Sequence, residues 1–413
     1  MAHVLKSLNR CVTPHLYRYV YLWPKSPWAS DPPVFIKWPN SLTQMYCAAD
    51  QRTRIFHLDL FKQTIVQRPD LRRCVVAASF ECRVNDFENH LVSVVVEILA
   101  GSAECLHAAP EMCIPPAHYF KYLTSLEIDG EELRGSYEGA LCDIFCLPML
   151  QSISVARVKN WTCFDTSTIR ADRARTSTVK NLLLRESVIP GPDLKEILTW
   201  AKALKSFRLA LHFRGPQEGH EVVHRASDFS DALLPQASSL EELHVYCESE
   251  LVLKADPSTL FDQPNTVDLR DFTKLRRVGL CLSFLMVSIS DADFHNIDVG
   301  SFPQTYQILP PALEDLQIEM PDDFPPAVFF ATDQNWEVEL RAGELSSIMS
   351  AIFENKQTHL PRLKRVLFFQ CRSVAEAEDL RAIPGCSQML EHSESAGVDV
   401  SWTSCSIPPL FNH

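Results

Sequence analysis

The chain has 413 residues, is 46% hydrophobic and carries a net charge of -13. That apolar content suffices for a large core. The acidic balance argues against a general nucleic-acid binder, which needs a basic face, and against an anionic membrane surface as partner. Fourteen cysteines are scattered without paired spacing. The N-terminus, Met1-Ala2-His3-Val4-Leu5-Lys6-Ser7-Leu8, has no uninterrupted apolar core. No secretory signal is therefore expected. The expectation is an intracellular protein, cytoplasmic or nuclear, with mostly buried free thiols. The longest largely apolar run, Leu91 to Ala100, contains Ser93 and Glu97 and is too short to span a bilayer.

Residues 1–22 are predicted as a short helical piece, with Val4, Leu5, Leu8, Leu16, Tyr17 and Val20 at helical spacing. Thr13-Pro14 fits a cap followed by proline at the first helical position. Trp23-Pro24 to Trp38-Pro39 is proline-rich and is predicted as loop. Asp50 to Gln67 and Asp86 to Leu106 each carry an apolar stripe near helical spacing and are predicted as core-facing helices.

The organising stretch comes later, at Ser238-Ser239-Leu240-Glu241-Glu242-Leu243-His244-Val245-Tyr246-Cys247. Leu240, Leu243 and Val245 spell L-x-x-L-x-L, whose last apolar residues alternate with polar ones as in a strand with one buried face. The same phrase starts at Leu123, Leu150, Val179, Leu204, Leu275, Leu313 and Leu363, with a degenerate copy at Leu71. Early copies lie about 25–29 residues apart, within the leucine-rich-repeat range, and later ones about 35–50 apart, which requires inserts. The position where the usual phrase carries Asn or Cys holds Glu131, Val158, Ser187, His212, Glu248, Ser283, Pro321 and Cys371. Only Cys371 fits, so no regular asparagine ladder is expected.

These phrases predict an α/β fold: an irregular leucine-rich-repeat-like solenoid with a parallel sheet built by crossover connections. Residues 1–45 form an N-terminal remnant and proline-rich linker, and residues 46–413 the repeat domain. Apolar strand residues are expected to point inward and their neighbours to line an open concave face. The residues expected to bind a protein there are Asn181, Arg185, Arg208, Glu242, His244, Tyr246, Arg277, Gln317 and Glu319. Such a mixture of arginine, aromatic and polar groups suits a protein-binding surface.

Lys6-Ser7-Leu8-Asn9-Arg10-Cys11-Val12-Thr13-Pro14-His15-Leu16-Tyr17-Arg18-Tyr19-Val20 resembles the last part of the F-box in fungal F-box proteins. Leu233-Leu234-Pro235-Gln236-Ala237-Ser238-Ser239-Leu240, Asp271-Phe272-Thr273-Lys274-Leu275 and Leu309-Pro310-Pro311-Ala312-Leu313 are similar to that family's helix-to-strand phrases. Ala396-Gly397-Val398-Asp399-Val400 is similar to its closing strand. The family's opening Leu-Pro-x-Glu-type segment lies upstream of where this chain starts, so the resemblance covers the end of the F-box and most of the repeat region. It implies a substrate-recognition subunit of a ubiquitin ligase, with the Skp adaptor of cullin ligases as partner. Leu5, Leu8, Leu16 and Tyr17 would be what remains of the adaptor side.

One motif points to different chemistry. His220-Glu221-Val222-Val223-His224 spells H-E-x-x-H, which on a helix puts two imidazoles on one face with a glutamate to activate zinc-bound water. A zinc-dependent hydrolase using His220, Glu221 and His224 is thus the alternative. Its setting is poor. Pro216 and Gly219 lie just upstream, Arg225 follows directly, and Ser227 and Ser230 stand where the extended motif has glycine and a third histidine. Cys142 with Cys146, and Cys105 and His107 with Cys113, lack the spacing of a structural zinc site. No glycine-rich phosphate loop and no nucleophile elbow occur. The expectation is a non-enzymatic protein without metal or cofactor.

Overall fold

The computed structural model describes residues 19–22, 54–55, 66–67, 77–80, 105–108, 123–129, 145, 147–156, 174–185, 189, 191–211, 226–247, 267–281, 285, 305–319, 348–370 and 386–404. They fall into two compact units. Described residues up to Leu184, with Trp200–Lys202, form the first. Arg185–Thr199 and the described residues from Ala203 onward form the second.

The first unit contains β1 (Tyr19–Leu22), β2 (Arg54–Ile55), β3 (Ala77–Phe80), β4 (Cys105–Ala108), β5 (Ser125–Asp129), β6 (Ser152–Ala156) and all but the last residue of β7 (Asn181–Arg185). They lie side by side in the order β2-β1-β3-β4-β5-β6-β7. The second unit contains β8 (Ser206–Leu211), β9 (Glu242–Cys247), β10 (Arg277–Cys281), β11 (Asp315–Glu319), β12 (Arg365–Gln370) and β13 (Asp399–Ser404), in sequential order. Every strand pair whose register is described is parallel. The described residues thus have the α/β character read from the phrases, with parallel strands and few helices among them.

All eight L-x-x-L-x-L phrases become strands with one phasing. Each strand begins two residues after the first apolar position: Leu123 precedes Ser125, Leu150 precedes Ser152, Leu240 precedes Glu242, and so on to Leu363 and Arg365. Every described apolar position of the eight phrases is at most 2% exposed. Fully burying one such side chain stabilises by roughly 1.5–3 kcal/mol, as an upper estimate. A recurring tight turn feeds the strands: Leu150, Leu275, Leu313 and Leu363 each donate a backbone bond to the residue three earlier. The strand starts share a second feature, a single carbonyl that accepts two successive amides from the next strand. Thr124 O takes Gln151 and Ser152 at 2.8 and 3.0 Å, and Glu241 O takes Arg276 and Arg277 at 2.9 and 3.2 Å. Lys205, Arg276 and Glu314 repeat the arrangement.

Helices occupy several crossovers. In α1 (Gly191–Trp200), Leu194, Ile197 and Leu198 form a buried i, i+3, i+4 stripe. Pro192 suits its first turn. In α2 (Ala226–Leu233), Phe229 stacks on Phe207 of β8 at 6.4 Å. The short helices α3 (Thr305–Ile308) and α4 (Lys356–His359) precede β11 and β12. Next, α5 (Cys386–Ala396) ends at Gly397 with φ +65°, the left-handed conformation that glycine adopts without strain. Gly397 and Val398 amides bond Glu394 and Ser393 carbonyls at 3.0 and 2.9 Å, and the Lys356 ammonium caps Ala396 O at 2.6 Å.

Three local expectations are corrected. Tyr19–Leu22, the end of the stretch predicted as helical, form β1; four residues are too few for apolar spacing to separate helix from strand. Arg54–Ile55, inside the first predicted helix, is the strand β2, and Cys105–Leu106, at the end of the second, lies in β4. Both are drawn into the sheet by backbone pairing with a neighbour, which no local pattern encodes. No helix among the described residues is long and apolar enough to cross a membrane.

Candidate functional site

Strand pairing places the alternate residues of the second unit in rows. At the strand starts, Ser206, Glu242, Arg277, Asp315, Arg365 and Asp399 stand opposite one another. From Glu242 onward their charges alternate in sign. Glu242 Oε2 accepts from Ser206 at 3.1 Å and from Arg208 at 3.4 Å, and its Oε1 pairs with Arg277. Asp315 pairs with Arg365 at 3.1 Å. One residue earlier runs a parallel row: Lys205–Glu241 at 2.9 Å, Arg276–Glu314 at 3.9 Å and Lys364–Glu314 at 2.7 Å. The hydrogen bond from Lys205 holds the Glu241 carboxyl below its ordinary range, and that from Lys364 does the same for Glu314. Opposite charges on adjacent strands favour this pairing, while a shift by one strand would set like charges opposite.

These ion pairs are not equal. Lys205 and Glu241 are about half exposed, so their pair contributes at most about 1 kcal/mol. Glu242 is 12% exposed at its side chain and Arg208 17%. Glu242→Gln is expected to destabilise the second unit by about 1–3 kcal/mol, since it removes the negative charge that faces two guanidiniums and turns one of the two acceptor oxygens into a donor. Glu241→Gln should change stability by less than about 1 kcal/mol. Urea denaturation of the two variants side by side checks the ranking. Equal losses would show that burial does not set the importance of the inner row.

The next two rows are Arg208, His244, Gly279, Gln317, Leu367, Ser401 and Ala210, Tyr246, Cys281, Glu319, Phe369, Thr403. An open, solvated face does not describe their middle. His244, Tyr246 and Phe369 are wholly buried, Gln317 is 2% exposed and Glu319 6%. The reason is local. Gly279 offers no side chain, and a Cβ there would lie 2.4 Å from His244 Nδ1 and 2.8 Å from the Tyr246 hydroxyl. The two rings therefore occupy the space beside β10 that a larger residue would fill. They stack with centroids 5.8 Å apart, and the Tyr246 hydroxyl meets His244 Nδ1 at 2.9 Å. Tyr246 is edge-on to Phe369 at 5.3 Å. The Cys281 thiol donates to Glu319 Oε2 at 2.9 Å. Burial, then the charges of Arg208 and Arg277, hold the His244 pKa well below its ordinary value, so the ring is neutral near pH 7.

The nine residues expected to bind protein thus separate into groups. Glu242, His244, Tyr246, Gln317 and Glu319 are buried, Arg185 and Arg208 are partly exposed, and Asn181 and Arg277 are exposed. Pairing brings Arg208, Glu242, His244 and Arg277 together, and the Gln317 and Glu319 positions lie one strand further on. Arg365, Gly279 and Phe369 complete the cluster; the first and last were visible as alternating strand positions, but nothing local marked Gly279. The adaptor-side Leu5, Leu8, Leu16 and Tyr17 lie outside the described residues, as do His220, Glu221 and His224. Among the described residues no group of three or more His, Cys, Asp or Glu could hold a metal ion.

The fold and this cluster define an α/β protein with parallel strands, whose second unit has one sheet face lined by aliphatic side chains and the other by charges and aromatics. The chain matches no protein-family model, and no curated protein is similar in sequence.

Proposed function

We propose that the chain is an irregular leucine-rich-repeat-like solenoid acting as a non-enzymatic protein-interaction module, the substrate-recognition subunit of an F-box-type ubiquitin ligase or a shortened relative. The constant phasing carries this reading. Eight sequence phrases begin eight strands at one offset. A repeat unit needs such a strand of its own, stacked on the last to share a continuous core. The strand starts of the second unit supply a surface suited to protein capture, because Arg277 and Arg365 are exposed there and arginine is enriched among residues that dominate binding energy. The ligase assignment rests on the resemblance of Lys6 to Val20 to the end of the F-box. Function would then be display: paired strands hold a rigid margin that binds a target, and the N-terminal segment joins the Skp adaptor.

The test is size-exclusion chromatography of the purified chain with purified Skp adaptor, repeated with any in-frame upstream codons restored. The expected result is a stoichiometric complex with at least one form. No complex with either removes ligase membership and leaves a repeat scaffold.

A further inference from the structure

We infer that His244, Tyr246 and Phe369 form a proton-operated latch on the polar face of the second unit, closed while the imidazole is neutral and opened when it is protonated. His244 sits mid-strand in β9, opposite Arg208 on β8 and Gly279 on β10. It is wholly buried. Its Nδ1 is tied to the Tyr246 hydroxyl, and Tyr246 reaches Phe369 on β12, so this aromatic contact bridges the two strands between. The ring that responds to protons is therefore joined to an aromatic pair spanning four strands.

The surroundings accept a neutral ring and oppose a charged one. Among the described residues, the charged and titratable groups of these rows are Arg208 on β8, Glu242 and Tyr246 on β9, Arg277 and Cys281 on β10, Asp315 and Glu319 on β11, Arg365 on β12 and Asp399 on β13. Arg208 and Arg277 repel an imidazolium. The carboxylates on β9 and β11 already have partners: Glu242 serves Ser206, Arg208 and Arg277, Asp315 serves Arg365, and Glu319 accepts the Cys281 thiol. His244 Nε2 has no hydrogen-bond partner among the described residues. A protonated ring would need an acceptor at that nitrogen and an anion nearby, and water supplies the first once the face opens.

Acid favours the open form. The closed form holds the imidazole neutral well below its ordinary value, whereas an opened, hydrated ring titrates near pH 6.5. The open form therefore binds more protons below that pH. Closure is fully favoured above about pH 6.5 and loses about tenfold in its equilibrium constant per pH unit below it, until the closed-state pKa is reached. Opening uncovers Tyr246 and Phe369, aromatic groups of the kind that anchor protein partners. The latch stands whether or not the chain joins a ligase.

The experiment is a pH titration of the full chain from 8 to 5 with a dye that fluoresces on exposed apolar surface, comparing wild type with His244→Gln. Dye binding by wild type should rise as pH falls below about 6.5. In H244Q the rise should be lost or moved down by at least one pH unit. An identical rise in both, or none in wild type, overturns the latch. Should H244Q fail to fold, the imidazole carbon resonances of wild type decide. Protonation of His244 coinciding with dye binding supports the latch, and titration near pH 6.5 without dye binding overturns it.

Discussion

Gln236→Leu is expected to lower the unfolding free energy of the second unit by about 3–5 kcal/mol. Gln236 closes the 3-10 turn Leu234–Gln236 and is 1% exposed. Its amide nitrogen donates to Leu198 O at 2.7 Å, near the end of α1, where helical carbonyls lack intrahelical partners. Its amide oxygen accepts the Leu204 amide at 2.9 Å, just before β8, and the Ser239 hydroxyl at 2.9 Å, just before β9. One side chain therefore ties together a helix end and the approaches to two strands. Leucine fills similar volume but strands a buried carbonyl and a buried amide, at roughly 1–3 kcal/mol each. Urea denaturation measures the loss. A change below about 1 kcal/mol would mean that both backbone groups find other partners on relaxation, and the staple role would be abandoned.

Gly279→Ala carries the second large effect, about 2–3 kcal/mol of destabilisation. The added Cβ meets His244 Nδ1 and the Tyr246 hydroxyl at distances no carbon tolerates. Both rings are wholly buried, so neither can swing into solvent without uncovering the face. Displacing them separates the Tyr246–His244 bond and the Tyr246–Phe369 contact together. Near-UV circular dichroism should weaken more than far-UV, because aromatic packing is lost while the strand persists. A fully stable G279A protein with an unchanged near-UV spectrum would show that the rings move at little cost. In that case Tyr246→Phe, which deletes only the hydroxyl, becomes the more informative variant.

The strand pattern was legible because apolar alternation has a period of two and demands one buried face. Leu243 and Val245, Val278 and Leu280, and Leu316 and Ile318 pointed to that face, and all are buried as expected. The charged neighbours were legible as a row once the phrases were aligned, since Glu242, Arg277, Asp315 and Arg365 occupy one phase of each. What could not be read was their fate. Polarity predicts exposure on average, yet His244, Gln317 and Glu319 are buried. No local signal marks Gln236, because its partners lie 32 and 38 positions away.

By itself, then, the amino-acid order determined the number and phase of the eight phrase strands and their aliphatic face, each encoded within six residues, and the spacing between phrases pointed to a parallel sheet. Tertiary structure alone decided the pairing of β1 and β2, the burial of the polar face and the neutral state of His244. Those depend on which strand lies alongside, and on Gly279 leaving room beside two rings 33 and 35 residues earlier in the chain. Local periodicity carries no information about a neighbour that the chain reaches only after a crossover.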